Sequence, residues 1–448
     1  MTVEAELLVL GGGIAGLAAA AELGARALVL ERDDRPGGLV RTDCLQGYWF
    51  DHVLHLLHFG DAAVQARVQR LLGDVLAPCP PVAWIECEAG TVRYPFQLNL
   101  GGLEHGAAVQ SLTDFARACF GPQSPEPPGD YQELLLRMFG ETICRLFLLP
   151  YNRKMWRRPL DSLAPHGFVW NVARPRFEEA LEGMLHPNAA RPAYNTNAFY
   201  PRPPPDAPLR GMEVLSRALA DRVERLHLET TVEAIDPGAR TVTACRGGER
   251  VRYRYTRECL CTLPLPAAMR MCAGVPAALA GAVETLRHNL VLSVFLAVRG
   301  PRPDSPGLWR YYADESVPFT RLVFMHELDP LSAPPEGWGL IAEITHPAEC
   351  PLPPRDELLA AACAGARRVG ALPAGCEVVF AQLRVADPAY VVFTPGTAEV
   401  VEECRDFLDA RGVRTVGRYG RWEYSSMAQV MGGAMAWAAG QGGAGLDA

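Results

Sequence analysis

The chain has 448 residues, of which 49% are hydrophobic and 21% are charged, and this size and balance predict a folded protein of about two domains. Its formal net charge of -8 and its lack of a basic run argue against a nucleic-acid partner. No apolar run is long enough to predict a membrane span, and no basic segment precedes an apolar stretch at the N-terminus, so we expect a cytoplasmic protein. The 13 cysteines are scattered without a CxxC pair, so neither a disulfide framework nor a bound metal is expected.

The first predicted element is a strand, a glycine turn and a helix that together form a dinucleotide cradle. An apolar run at residues 7–10 is followed by Gly11, Gly13 and Gly16 with GxGxxG spacing. These glycines permit the tight turn, the approach of backbone to a pyrophosphate and the close packing of helix on strand. Glu31 ends the next apolar run, where a carboxylate can accept from a ribose hydroxyl. The alternative is a glycine-rich structural turn. The predicted cofactor residues of this unit are Gly11, Gly13, Ile14, Ala15, Gly16, Glu31 and Arg32.

A second glycine-rich segment, RPGGLVRT, occupies residues 35–42. It resembles the GGxxxT motif of the large flavoprotein group that includes amine oxidases, protoporphyrinogen oxidases and UDP-galactopyranose mutases. The resemblance implies FAD as the cofactor, with Gly37, Gly38 and Leu39 against it and Arg41 as a charge-assisted donor. An ordinary Pro-Gly loop with a surface arginine is the alternative.

A histidine-containing stretch, FDHVLHLLH at residues 50–58, resembles the GxHxxH segment beside the flavin ring in the mutases and their relatives. His55 and His58 match its histidines and are predicted to be catalytic, because a histidine there can donate to the flavin or shuttle protons. Val53 stands where the pattern has glycine. A metal site is not expected, because these histidines have no helical i, i+4 pair and no obvious carboxylate partner.

Two segments of the middle region predict substrate contacts. Residues 94–99, YPFQLN, resemble the PFN-type strand of the same group, which implies Tyr94, Phe96 and Gln97, although an edge strand with proline would look similar. Residues 150–156, PYNRKMW, resemble the YTxKxW segment of the mutases, which implies Tyr151 and Trp156 in a nucleotide-sugar cleft.

Lys154 lies in that second segment and is the only lysine among 43 basic residues. A chain that uses arginine almost everywhere predicts a special need where it keeps a compact ammonium on a flexible stem. Lys154 is therefore predicted to be catalytic, and chance retention is the alternative.

The C-terminal segment TVGRYGRWEYSSM at residues 415–427 resembles the mutase pattern GRxGxYxYxDM, with Trp422 and Ser426 as substitutions. An apolar helix at 428–439 would point its N-terminus at the flavin. The resemblance also implies a backbone contact from Val232 to the adenine side. The predicted cofactor residues of this region are Val232, Gly417, Arg418, Ser426 and Met427, and the predicted substrate residues are Tyr390, Trp422 and Tyr424.

Together these segments predict an α/β protein with a Rossmann-type FAD-binding domain of three layers (ββα) and a discontinuous α+β substrate domain. The first would comprise residues 1–95, 206–270 and 386–448, and the second residues 96–205 and 271–385. The resemblance implies an FAD-dependent oxidoreductase that transfers hydride to flavin N5 from a polar small molecule, such as a sugar, nucleotide sugar or glycosylated metabolite. The alternatives are a UDP-galactopyranose mutase-like isomerase with reduced FAD as nucleophile and a flavin-holding protein without catalysis. A homodimer is an open possibility.

Overall fold

The computed structural model describes residues 2–122, 124–165, 174–187, 197–304 and 307–443. Within these ranges the chain forms two seven-stranded sheets, a two-stranded sheet and a three-stranded sheet. None of the helices in the same ranges is long and apolar enough to cross a membrane.

The strands are β1 (Thr2–Leu10), β2 (Ala27–Leu30), β3 (Thr42–Leu45), β4 (Tyr48–Asp51), β5 (Leu57–His58), β6 (Leu76–Pro78), β7 (Ala83–Cys87), β8 (Gly90–Arg93), β9 (Ala198–Pro201), β10 (Leu226–His227), β11 (Thr230–Asp236), β12 (Thr241–Arg246), β13 (Glu249–Cys261), β14 (Arg287–Arg299), β15 (Trp309–Tyr312), β16 (Arg321–Phe324), β17 (Gly337–Pro347), β18 (Glu377–Val392) and β19 (Val413–Thr415).

The helices are α1 (Ile14–Ala20), α2 (Ala62–Leu72), α3 (His105–Phe120), α4 (Tyr131–Phe139), α5 (Glu141–Ile143), α6 (Leu149–Trp156), α7 (Phe177–Leu185), α8 (Glu213–Ala220), α9 (Leu265–Met271), α10 (Ala277–Val283), α11 (Met325–Leu328), α12 (Arg355–Arg368), α13 (Thr397–Asp409) and α14 (Met427–Gly440).

The first sheet has the order β10-β2-β1-β13-β12-β11, with β19 paired to β13. Strands β10, β2, β1, β13 and β19 run parallel, while β11, β12 and β13 form an antiparallel meander. All seven residues of α1 are buried between this sheet and α14, because alanines and Gly16 let helix and strand approach closely. The predicted Rossmann-type unit and the predicted helix at 428–439 are both present.

The second sheet has the order β18-β14-β17-β16-β15-β7-β8. Its second strand, β14, is buried along nearly its whole length, because both faces are covered. On one face Leu292 and Val294 pack with residues of α12, and on the other Phe295 stacks on Phe50 of β4 at 4.8 Å between ring centroids. The β3–β4 hairpin thus covers part of this face of the second sheet.

The pairing departs from two sequence expectations. Strands β7 and β8 belong to the second sheet through β15, upstream of the boundary expected at residue 95, and β18 runs through the boundary expected between residues 385 and 386. The expectation of a strand at residues 94–99 is wrong, since Phe96–Leu98 forms a single 3₁₀ turn. Proline at residue 95 supplies no N–H to a sheet ladder, which favours such a turn.

Candidate cofactor and substrate site

The cradle at the carboxyl end of β1 requires glycine at two of its three motif positions. Gly11 has a φ of +103°, and a Cβ there would lie 2.4 Å from the Thr262 hydroxyl. A Cβ on Gly16 would lie 2.0 Å from the Gly11 carbonyl oxygen. Both positions are therefore set by the turn and by the packing of α1 on β1.

Gly13 differs, because its φ of -73° suits any residue. The only atom within 4 Å of a Cβ on Gly13 would be the Gly38 Cα, at 3.9 Å. The two glycine loops are held together by the Gly37 amide, which donates to the Gly12 carbonyl over 2.8 Å. Gly13 and Gly38 thus present bare backbone to each other at the N-terminus of α1, as a pyrophosphate site requires. These residues fit a dinucleotide cofactor.

The predicted ribose side lies along the end of β2. The Glu31 carboxylate accepts the amides of Gly12, over 2.7 Å, and Asp33, over 2.9 Å, which holds it beside the glycine turn. The adjacent Arg32 side chain is largely exposed. Val232 lies on β11, whose first residue donates its amide to the Glu31 carbonyl. Glu31, Arg32 and Val232 therefore share one edge of the sheet.

Arg41 and Leu39 take different places in the second glycine loop. Arg41 donates to the Asp33 carboxylate over 2.8 Å and to the carbonyls of Arg35 and Pro36. These bonds fix the loop from within, so the geometry favours loop support over the predicted donor to the cofactor. Leu39 and Val53 both pack against a small apolar cluster of Val291, Ala386 and Ala389.

The C-terminal segment reaches the cradle at Gly417. Gly417 has a φ of +88°, and a Cβ there would lie 2.9 Å from the Ala15 Cβ on α1. Ser426 caps α14, since its hydroxyl accepts the Gln429 amide while the Gln429 side chain accepts the Ser426 amide. Met427 is buried at the start of that helix. Gly417 therefore lies beside α1, whereas the Ser426 hydroxyl is engaged in a capping box at the start of α14.

The two predicted catalytic histidines are neutral at pH 7. Burial, together with the positive charges of Arg418 and Arg321, lowers the pKa of His55 to about 4. Burial alone lowers the pKa of His58 to about 4. The buried His55 Nδ1 has no hydrogen-bond partner among the described residues. His55 is thus a neutral imidazole held close to two guanidinium groups.

The two arginines whose charges act on that imidazole belong to a tyrosine–arginine cluster, which consists of Tyr94, Tyr151, Tyr311, Tyr390, Tyr424, Arg321, Arg418 and Glu343. The ring centroid of Tyr311 lies 5.7 Å from that of Tyr94 and 5.5 Å from that of Tyr151. The Arg418 guanidinium lies 4.7 Å from the ring centroid of Tyr424 and 5.7 Å from that of Tyr390. Burial raises the pKa of Tyr390 to about 12 and holds the pKa values of Tyr151 and Tyr424 well above the ordinary tyrosine value, so their hydroxyls are neutral hydrogen-bonding groups.

The two arginines of the cluster differ in their charge partners. Arg321 Nε donates to Glu343 over 2.7 Å, and the other Glu343 oxygen accepts the Leu54 amide over 3.2 Å. Arg418 donates to the Ala389 carbonyl over 3.3 Å, and its Nε has no hydrogen-bond partner in the part of the chain that the structure describes. With Glu343 compensating Arg321 and His55 neutral, the cluster carries one uncompensated positive charge.

Sequence reasoning missed Tyr311, Arg321 and Glu343. They lie on the neighbouring strands β15, β16 and β17, and Arg321 and Glu343 are register partners in that pairing. The one local signal was the carboxylate of Glu343 inside the apolar run GLIAEIT at residues 339–345, since a buried charge needs a partner.

Three predicted substrate aromatics are core residues instead. Phe96, Trp156 and Trp422 each expose 1% of their surface. Phe96 stacks on Phe147 at 5.2 Å, and Trp156 lies edge-on behind Tyr390 at 6.2 Å and donates its Nε1–H to Asn152. These side chains present almost no surface to a ligand, so their assignment to substrate contact is corrected. Gln97, at 7% exposure, is also buried.

Lys154 has a structural explanation. Its ammonium donates to the carbonyls of Tyr312, over 2.9 Å, and Asp314, over 2.7 Å, at the end of β15. Its side chain is buried, and burial lowers its pKa to about 8. These contacts favour a tether between α6 and β15 over the predicted catalytic role.

Comparisons with solved structures show the fold over nearly the whole chain. A reduced UDP-galactopyranose mutase is 22% identical, with a TM-score of 0.87 over 98% of this chain and 94% of that one. A protein assigned as a protoporphyrinogen oxidase from Exiguobacterium sp. 255-15 is 17% identical, with a TM-score of 0.71 over 98% and 99%. Putrescine oxidase bound to putrescine is 15% identical, with a TM-score of 0.64 over 98% and 99%.

The family model of flavin containing amine oxidoreductases matches residues 14–373, well over half of the chain. The matched range includes the helix of the cradle, the second glycine loop, the histidine segment and the strands that carry Arg321 and Glu343. The predicted cofactor, FAD, and the prediction of an enzyme are confirmed by this match. The chain therefore belongs to the family of flavin-containing amine oxidoreductases.

Proposed function

We propose that the chain is an FAD-dependent oxidoreductase whose substrate is a polar, anionic small molecule rich in hydroxyl groups. A sugar, a nucleotide sugar or a glycosylated metabolite has this chemistry. The observation that carries the proposal is the uncompensated positive charge of the tyrosine–arginine cluster.

The charge of the cluster favours an anion over a protonated amine. Arg321 is paired with Glu343, whereas Arg418 meets a carbonyl and the faces of Tyr390 and Tyr424. A guanidinium of this kind matches a phosphate or carboxylate group. A cationic group would be repelled by Arg418, and Glu343, the carboxylate of the cluster, is already neutralised by Arg321. The charge balance thus argues against an amine substrate even though the family carries that name.

The remaining groups of the cluster suit hydroxyl chemistry. The neutral hydroxyls of Tyr151 and Tyr390 can donate to or accept from a sugar hydroxyl. His55, neutral because its pKa is about 4, can accept the proton of a substrate hydroxyl as the neighbouring C–H bond is broken. FAD, when bound, supplies either an acceptor for the hydride of that C–H bond or, in its reduced form, a nucleophile.

A second candidate is a mutase-like isomerase with no net redox change. It is favoured by the TM-score of 0.87 to a reduced UDP-galactopyranose mutase and by the retention of Tyr151 and Tyr424 in the resembling motifs. Trp422, which replaces a motif tyrosine, is buried in the core. Because one fold hosts several reactions, this likeness does not transfer the activity.

Anaerobic mixing separates the two candidates. Oxidised, FAD-loaded protein is mixed with a panel of nucleotide sugars and sugar phosphates, and the flavin absorbance and product masses are recorded. The proposal expects bleaching of one flavin per substrate and a product lighter by two hydrogens. An isomeric product of unchanged mass, formed only after chemical reduction of the flavin, would instead support the mutase-like isomerase. Bleaching by simple amines alone would contradict the proposed substrate class.

A further inference from the structure

A second cleft lies at the opposite end of the first sheet from the cradle. The cradle follows the last residue of β1, whereas this cleft includes residues that precede β19, which runs parallel to β13 and β1. From Tyr255 in this cleft to Cys261 at the cradle end, β13 spans about 20 Å. The cleft has a volume of about 640 Å³ and is lined by Asp236, Pro237, Gly238, Arg240, Tyr255, Arg257, Ala273, Gly274, Ala410, Arg411 and Gly412.

Three arginines and one aspartate give the cleft a net positive charge. Arg240 donates to the Thr256 carbonyl over 2.9 Å. Arg411 donates to the Phe407 carbonyl over 3.0 Å and lies 3.8 Å above the Phe407 ring centroid. Arg257 donates to the Gln441 carbonyl over 3.2 Å. A guanidinium has five N–H donors, so each of these bonds orients an arginine while most of its donors stay available.

A carboxylate close to Arg257 but outside the lining is also engaged. Glu6 lies 3.5 Å from Arg257, yet both of its oxygens accept from Arg26, over 2.6 and 3.0 Å. Within the lining, Asp236 accepts the Ala239 amide over 2.9 Å. With three arginines against Asp236, the lining itself keeps more positive than negative charge.

Tyr255 gives the second, independent observation. Tyr255 is one of the lining residues and is only 1% exposed, and its buried hydroxyl has no hydrogen-bond partner among the described residues. Buried hydroxyls in folded proteins are nearly always paired. An oxygen of a ligand held by the arginines would give this hydroxyl the acceptor that the chain itself does not supply.

The walls also leave room for a ligand to approach the backbone. Gly274 and Gly412 have φ values of +76° and +73°, and no atom lies within 4 Å of a Cβ at either position. We propose that this cleft binds a phosphate-bearing small molecule, whose phosphate oxygens bond Arg240, Arg257 and Arg411 and accept from the Tyr255 hydroxyl. Planar guanidinium groups match phosphate oxygens in pairs, which a cleft with three of them exploits. The proposal does not depend on the reaction at the flavin.

The test is calorimetric titration of inorganic pyrophosphate into the FAD-loaded protein at fixed ionic strength. The double variant Arg240→Gln/Arg411→Gln should bind pyrophosphate at least about tenfold more weakly, because each lost charge-assisted bond is worth that much. A matched control, Arg145→Gln/Arg299→Gln, removes two exposed arginines that pair with Glu88 and Glu377 elsewhere and should bind like the parent. Absence of binding to the parent, or equal loss in both double variants, would overturn the proposal.

The flavin site needs its own control, since Arg418 also favours anions. The Arg418→Gln variant should keep the binding that the cleft variant loses. Loss of pyrophosphate binding in Arg418→Gln with retention in Arg240→Gln/Arg411→Gln would assign the anion to the substrate site and sink the cleft proposal.

Tyr255→Phe gives a readout that a structural tyrosine would not. The hydroxyl has no protein partner, so its removal should leave the Tm of the free protein unchanged or raised while weakening pyrophosphate binding severalfold. A lowered Tm with unchanged binding would show that the hydroxyl serves the fold and would contradict the proposal.

Discussion

The cradle and the tyrosine–arginine cluster are built in opposite ways. The cradle comes from two short segments, and its turn depends on local backbone requirements, such as the positive φ of Gly11 and the 2.0 Å distance that a Cβ on Gly16 would have from the Gly11 carbonyl oxygen. The cluster comes from side chains on α6, β15 to β18 and the C-terminal segment, held by charge and ring contacts. Backbone geometry therefore shapes the predicted cofactor cradle, whereas long-range strand pairing brings the side chains of the cluster together.

The largest expected effect breaks the cradle alone. Gly13→Val should abolish the bound FAD while the protein stays folded, because the Gly13 backbone accepts any residue and its Cβ would point only toward Gly38. The flavin-to-protein absorbance ratio and the Tm of the apoprotein measure the two effects.

Gly16→Val is the matched control, since its Cβ would collide with backbone inside the cradle and should lower stability as well as flavin content. A yellow Gly13→Val protein with full flavin occupancy would show that the cofactor does not pass this glycine.

The same contrast explains which residues could be predicted from the sequence and which could not. Gly11, Gly16, Gly37 and Gly38 were predictable because positive φ and close backbone approach leave a local mark in the sequence. Arg321 and Glu343 were not predictable, because they meet only after β16 pairs with β17. The sequence of neither strand indicates which strand it pairs with. A large aromatic such as Trp422 fits core and ligand platform equally well by sequence, and its direction is set by packing.

The next largest effect separates the two arginines of the cluster. Arg321→Gln should lower the free energy of unfolding by about 3–5 kcal/mol, because it leaves the buried Glu343 carboxylate uncompensated. Adding Glu343→Gln should restore most of that loss, since the pair is then neutral. Urea unfolding of the single and double variants measures both. Equal stability of Arg321→Gln and the parent would show that Glu343 is not held charged by this arginine.

Arg418→Gln should instead leave the Tm nearly unchanged, because no carboxylate in the cluster depends on Arg418 for its charge partner. It should weaken binding of an anionic substrate by about tenfold to a hundredfold, as expected for one charge-assisted contact. Titration with the substrate found in the anaerobic panel measures this. Unchanged affinity would remove Arg418 from the substrate site and with it the charge argument for the proposed function.

The histidines predict a pH dependence of stability. Their folded pKa of about 4 lies below the ordinary value of 6.5, so between these values the unfolded chain binds protons that the folded chain does not. The free energy of unfolding should therefore fall as the pH drops from 6.5 to 4, by up to about 3 kcal/mol for each histidine.

The variant His55→Gln should lower the number of protons taken up on unfolding by one, which makes this pH dependence less steep. It should leave the free energy of unfolding near pH 7 almost unchanged. Urea unfolding across this range, with Gln in place of the exposed His105 as the control, measures the difference. The same slope in parent and His55→Gln would show that His55 is not buried in its neutral form.

The smallest expected effect concerns Lys154, whose side chain holds two elements of the tyrosine–arginine cluster together. Its ammonium joins α6, which carries Tyr151, to the carbonyls at the end of β15, which carries Tyr311. Arginine keeps the charge, but its broad planar fork does not fit a buried site shaped for an ammonium between two carbonyls. Lys154→Arg should therefore cost about 1–3 kcal/mol of stability, as overpacking does, while FAD stays bound and turnover falls less than tenfold. The matched control is Arg153→Lys on the exposed face of the same helix, which should be neutral in both measurements. A Lys154→Arg protein with parental stability and turnover reduced a hundredfold or more would return Lys154 to the catalytic residues.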